Sequence, residues 1–159
     1  MENVFEYLEN LGVSYELFEH VAVFSVHDAQ EAYTGKSFAE NKNLFLRNRK
    51  GDTHYLVTVP ASKKVDLDVL AEKLGEKDLS FASPKRLEKY LGVERGSVSP
   101  FCLLNDAEGE VIFIMDTELC DSELFGFHPN VNTKTVILSR DGFEKYLESV
   151  EQEGRYMDI

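Results

Sequence analysis

Residues 44–47 and 53–59 are two apolar runs separated by the polar segment 48–52, which holds Gly51. Runs of this kind on either side of a glycine-containing turn commit a chain to an antiparallel hairpin. The second run (Thr53, His54, Tyr55, Leu56, Val57, Thr58, Val59) is rich in aromatic and β-branched residues, which favour a pleated, buried surface. A hairpin with that much apolar surface is unstable alone and must be covered by further strands or helices.

The remaining chain supplies both. Residues 2–10 place Val4, Phe5 and Leu8 on one helical face, and Gly12 closes that segment. Residues 15–20 alternate like a strand. Ser25 is placed to cap a helix running to Ala32, with Asp28 as a capping-box acid. Residues 65–74 form an amphipathic pattern ended by Gly75. Ser83 and Pro84 read as a cap followed by a first-turn proline, starting a helix that ends at Gly92. Residues 101–104 and 110–116 are expected as two strands around a turn at 105–109, and residues 134–139 as another strand. A closing helix over 141–151 turns Phe143, Tyr146, Leu147 and Val150 inward. Interleaved hairpins and helices, with no strict alternation of single strands and helices, predict an α/β fold. The expected architecture is a mixed, partly antiparallel, curled sheet surrounded by helices. At 159 residues the chain suits a single domain over 1–159.

Composition excludes several classes. The net charge is −12, which argues against a protein that wraps long nucleic acid, because phosphate neutralisation needs a basic surface. The charge is uneven: residues 36–50 carry Lys36, Lys42, Arg47, Arg49 and Lys50 against Glu40, leaving +4 there and −16 elsewhere. Such a patch can hold one phosphate-rich end of a ligand. No apolar run reaches a membrane span, and the acidic N-terminus is unlike a signal peptide. Cys102 and Cys120 have no metal-ligand spacing and make no disulfide scaffold, so a cytoplasmic location is expected.

Common catalytic motifs are missing. There is no phosphate-cradling GxxxxGK[ST], no GxGxxG, no HExxH and no GxSxG. His20, His27, His54 and His128 show no metal spacing. An enzyme of this sequence is expected to work without a metal, a cofactor or a covalent serine. Three segments carry polar groups beyond what folding requires. Asn41-Lys42-Asn43 precedes an apolar strand, where Lys42 can present a compact positive charge to a phosphate or carbonyl oxygen. In Gly96-Ser97-Val98-Ser99-Pro100-Phe101, glycine and proline constrain a loop able to aim backbone groups at a ligand. In Phe127-His128-Pro129-Asn130-Val131-Asn132-Thr133, His128 is placed to position a water or a hydroxyl.

Lys42-Asn43-Leu44-Phe45-Leu46-Arg47, the Gly96 to Phe101 loop and the His128-Pro129 segment, in that order, resemble the YbaK/ProX family of prolyl-tRNA editing domains. The wording is closest to the free-standing ProX branch. The resemblance implies a sheet curled towards a barrel with helices around it. It implies trans-editing hydrolysis of a mischarged aminoacyl-tRNA, with alanyl-tRNA(Pro) the leading substrate. It further implies a partner, the tRNA acceptor end (CCA), and prolyl-tRNA synthetase as a possible second one, with no membrane involved. By the same resemblance Lys42, Gly96, Pro100 and His128 are catalytic positions. Asn43, Val98, Ser99, Asn132 and Thr133 are expected at the substrate; Val26 and Ala29, from their place after the first strand, are expected in the amino-acid pocket. Arg95, Cys102 and Asn130 depart from the family's usual residues. Another misacylated tRNA, such as cysteinyl-tRNA(Pro), remains an alternative substrate. A non-catalytic module that binds aminoacyl-tRNA or a synthetase is a third reading.

Overall fold

The computed structural model describes residues 3–22, 38–152 and 155–159. The segment expected as the Ser25 helix, with Val26 and Ala29, lies outside those residues, as does Lys36.

Helix α1, Val4–Asn10, starts at Asn3, whose side chain accepts from the Phe5 and Glu6 amides. An N-cap of this type stabilises a helix by about 1 kcal/mol. Its buried residues, Val4 and Leu8, face the core. Strand β1, Tyr15–Glu19, follows. The hairpin is formed by β2, Asn41–Asn48, and β3, His54–Pro60, paired antiparallel from Asn41↔Pro60 to Arg47↔His54. Its turn is organised by Asn48, whose Oδ1 accepts from the amides of Gly51, Asp52 and Thr53. Gly51 sits at φ 73°, where a side chain would be strained.

Helix α2, Leu67–Leu74, strand β4, Leu79–Phe81, and helix α3, Pro84–Leu91, come next. Helix α3 shows the expected punctuation: Ser83 caps it, Pro84 opens it, and Gly92 closes it at φ 64°. Residues 101–104 were expected as a strand; they instead lie in a 3₁₀ helix, Pro100–Asn105. A local start and burial from distant elements combine here. Pro100 starts the turn, the Ser99 side chain accepts from the Phe101 amide, and Pro100, Phe101, Cys102 and Leu103 are all buried. A strand covered on one face would bury alternate residues, so four consecutive buried residues need another geometry or a second cover.

Strand β5, Val111–Asp116, therefore has no hairpin partner before it. It pairs parallel with β3 and with β8, Tyr156–Met157. Strand β6, Leu124–Phe127, strand β7, Lys134–Ser139, and helix α4, Arg140–Ser149, complete the order. Two sheets result. One is five-stranded and mixed, in the order β4-β2-β3-β5-β8; the other is three-stranded and antiparallel, in the order β1-β7-β6. They meet at a bridge between Ala39 and Phe125 without closing into a barrel. This is the mixed, partly antiparallel sheet with helices that the sequence predicts.

The main core lies between them, where Phe101, Phe113, Phe125, Phe127, Phe143 and Tyr146 are all fully buried. Burying side chains of this size contributes roughly 1.5–3 kcal/mol each. The Tyr146 hydroxyl is not left unpaired in this core: it donates to the Pro100 carbonyl at 2.8 Å. That bond ties helix α4 to the loop that begins at Gly96.

Candidate active site

The β2 segment from Asn41 to Phe45, the start of α3, the Arg95–Val98 loop and His128 enclose a cleft of about 420 Å³. Lys42, Asn43, Gly96, Val98 and His128 all line it. These residues come from segments thirty or more positions apart, and the fold brings them to one place. Separate faces for Lys42, Gly96 and His128 would have left the three motifs without a shared chemistry.

Lys42 is half-buried in β2, opposite Val59. It makes no ion pair among the described residues. Asn43 is more committed. Its Oδ1 accepts from the Thr58 hydroxyl at 2.6 Å, and its Nδ2 donates to Asn41 Oδ1 at 3.3 Å. Asn41 in turn donates to the carbonyls of Ala39 and Gly126. This relay holds the cleft end of β2 against β6, so Asn43 has one amide N–H left for a ligand.

The glycine loop is held from behind. Gly96 lies at φ 92°, and an added Cβ would meet nothing nearer than Asn132 Nδ2 at 3.9 Å. Glycine is required there by backbone conformation, since space is available. The Ser97 amide donates to the Glu94 carbonyl and the Ser99 amide to Cys102 Sγ. The amides of Gly96 and Val98 donate to no acceptor among the described residues. Two free N–H groups on a constrained loop are what an oxyanion site needs. Ser99 and Pro100 do not line the cleft. Both are buried; the Ser99 hydroxyl donates to the His128 carbonyl at 2.6 Å, and Pro100 receives Tyr146. Burial pushes the Cys102 thiol up to about 12, and its Sγ–H points to the Ser97 carbonyl. It is a packed thiol, not a nucleophile.

His128 Nδ1 lies 2.9 Å from the Lys134 carbonyl. A carbonyl only accepts, so Nδ1 carries the proton and Nε2 keeps its lone pair. Burial, with a further contribution from neighbouring His20, holds the His128 pKa below the ordinary histidine value, against a raising effect from the Lys134 carbonyl. The imidazole is therefore neutral at pH 7. The His20 ring lies 5.8 Å away, centroid to centroid, and its Nε2 meets the Thr135 hydroxyl at 3.0 Å.

The cleft also has an apolar lining: Leu44, Phe81, Ala82, Pro84 and Leu87. Sequence reasoning missed this lining. Its Phe81 lies on the three-residue β4, too short for periodicity to reveal, and is 62% exposed. Asn132 and Thr133 line an adjoining cavity, not the cleft itself. The basic segment is also not one patch. Lys42 lies at the cleft, while Arg49 and Lys50 sit beyond the far end of β2, roughly 23 Å away along an extended strand. Arg49 there pairs with Asp78 at 3.5 Å.

Comparison with known proteins places this geometry. The profile of the aminoacyl-tRNA editing domain matches residues 20–146. The chain belongs to the aminoacyl-tRNA editing domain family. It is 40% identical over 142 residues to the prolyl-tRNA editing protein ProX of Acetoanaerobium sticklandii, covering 89% of this chain and 87% of that one. It is 32% identical over 146 residues to the prolyl-tRNA synthetase associated domain-containing protein 1 of Bos taurus, covering 89% and 85%. A crystal structure of a candidate trans-editing enzyme for prolyl tRNA synthetase superposes with a TM-score of 0.73 at 18% identity, over 98% of this chain and 92% of that one. The family resemblance carried by the three motifs is thus borne out, and this editing domain is an aminoacyl-tRNA deacylase. Among the described residues no helix is long and apolar enough to cross a membrane.

Proposed function

We propose that this editing domain, acting as one unit over residues 1–159 in the cytoplasm, hydrolyses alanyl-tRNA(Pro) in trans and releases alanine and tRNA. The observation that carries the reading is the shared cleft. Lys42, a loop whose Gly96 and Val98 amides are unpaired among the described residues, and a neutral His128 imidazole line one space together with apolar residues. That combination suits an acyl-adenosine terminus. The apolar wall takes the base, and Lys42 takes a phosphate or hydroxyl oxygen of the CCA end. The Gly96 and Val98 amides receive the ester oxygen as it gains negative charge.

In the hydrolysis, water adds to the ester carbonyl carbon and the carbon–ribose oxygen bond breaks. The leaving ribose oxygen takes up one of the water's protons, the other passes to solvent, and the amino acid departs as its carboxylate. His128 Nε2 is a hydrogen-bond acceptor for the water or for the adjacent ribose hydroxyl. An aminoacyl ester is already activated, so positioning and oxyanion stabilisation supply most of the required acceleration. Editing is needed because a synthetase pocket built for proline discriminates weakly against a smaller amino acid. The ProX relative's name supports the prolyl assignment, and that of the Bos taurus relative supports prolyl-tRNA synthetase as a second partner.

The test is a deacylation panel with alanyl-, cysteinyl- and prolyl-tRNA(Pro). Alanine is expected to leave fastest and proline to stay attached. Preferred release of cysteine would reassign the substrate, and rapid loss of proline would end the editing proposal. Lys42→Ala is expected to lower kcat/KM by about 10²-fold, the scale of a lost electrostatic contact in a water-poor site. A variant as fast as the parent would remove Lys42 from the mechanism.

A further inference from the structure

A second cavity of about 1020 Å³ adjoins the cleft, and Pro84 and Arg95 line both. Its other walls come from α3, through Lys85 and Glu88, and from the loop holding Asn130, Asn132 and Thr133. We propose that this cavity is a subsite for the nucleotide preceding the terminal adenosine, with Arg95 receiving the phosphodiester between the two. The inference rests on the reading of the first cleft as an acyl-adenosine site.

Arg95 supports it by position and by freedom. It is exposed on the shared wall and forms no ion pair among the described residues. A planar guanidinium matches two oxygens of one phosphate. A dinucleotide laid through both cavities must carry its linking phosphate across that wall.

Asn130 supports it independently. Its residue is 7% exposed and sits at φ 62°. Both polar atoms of its side-chain amide are buried without a partner among the described residues. A buried amide without hydrogen bonds is costly, and it stands in the wall of a cavity able to receive a ligand. One donor beside one acceptor is the complement of a nucleobase edge, such as N3 and N4 of cytosine, once the 130–133 loop adjusts to admit it. Val131 beside it is 42% exposed and offers an apolar contact. The acids Glu88 and Glu94 also line this cavity. They disfavour a run of phosphates there and fit a neutral base whose single phosphate lies at Arg95.

Equilibrium binding of uncharged CCA trinucleotide and of adenosine, which lacks the linking phosphate, to the full chain tests the proposal without relying on hydrolysis. The parent is expected to bind CCA about tenfold more tightly than adenosine, the scale of one charge-assisted contact. In Arg95→Ala that ratio is expected to fall to near one. Asn130→Gly, which suits the local backbone, is expected to lower it severalfold. A parent that binds both probes equally, or an Arg95→Ala variant that keeps the ratio, would overturn the subsite. Parallel assays on alanyl-tRNA(Pro) separate the two readings. Absent hydrolysis with an intact CCA preference would sink the substrate assignment alone, and hydrolysis without that preference would sink the subsite alone.

Discussion

Replacing Ser99 with alanine separates a framework role from substrate contact. The Ser99 hydroxyl makes two bonds that the substitution deletes. It donates to the His128 carbonyl at 2.6 Å and accepts from the Phe101 amide at 3.1 Å. Ser99 and Phe101 are 1% and 0% exposed, so water cannot readily replace either bond. Leaving a buried backbone group unpaired costs about 1–3 kcal/mol, which puts the combined loss at about 2–6 kcal/mol. With a urea dependence near 2 kcal/mol per molar, the unfolding midpoint is expected to fall by about 1–3 M. The same bond joins the Gly96 loop to the His128 segment, so misalignment is expected to lower kcat more than it raises KM. Urea unfolding followed by circular dichroism, with steady-state deacylation on the same sample, measures both. If the midpoint stays within about 0.25 M, corresponding to roughly 0.5 kcal/mol, while KM alone rises, the hydroxyl faces substrate and the framework argument is wrong.

Two further outcomes follow, one from a buried histidine of the hairpin and one from the rim of the cleft. Burial, and then the Arg86 charge, hold His54 at about 4; Arg86 donates to its Nε2 at 2.8 Å, and the Tyr90 ring lies 4.0 Å from it. Because the folded value lies below the ordinary 6.5, the unfolded chain binds the proton first as pH falls. The contribution is therefore present above pH 6.5 and is lost towards pH 4. Relative to His54→Gln, the parent is expected to lose about 2 kcal/mol more between pH 7 and pH 5; equal slopes in urea titrations would refute this. Phe81→Ala, at the exposed rim, is expected to raise KM about 5- to 100-fold with kcat nearly unchanged, the scale of one base stacked on an aromatic ring. An unchanged KM would leave the apolar wall without a role in base binding.

Much of the fold was legible because its signals are local. The β2–β3 hairpin, the Ser83-Pro84 start and Gly92 end of α3, and the inward face of α4 each follow from residues within one element. A turn, a cap or a stripe carries its own physical cause. The 3₁₀ helix at Pro100–Asn105 was not legible in this way. A short apolar run reads equally as strand or buried helix. What decided it was distant: Tyr146 on the Pro100 carbonyl and burial on every side. Strand β4 was too short to read, and β8 owes its place to pairing with β5.

The candidate site divides along the same line. Sequence alone established the chemical inventory: a lysine ahead of an apolar strand, a glycine–proline loop and a histidine beside asparagines. It also established the family, because three motifs in fixed order are specific where each alone is weak. Which of those residues face the cleft was a tertiary decision. Ser99 and Pro100 turned inward to brace the loop, Asn132 and Thr133 went to the neighbouring cavity, and Phe81 arrived from an unmarked edge strand. A residue's type is written in the chain, but its direction depends on which distant surfaces compete to bury it, and only the packed molecule settles that competition.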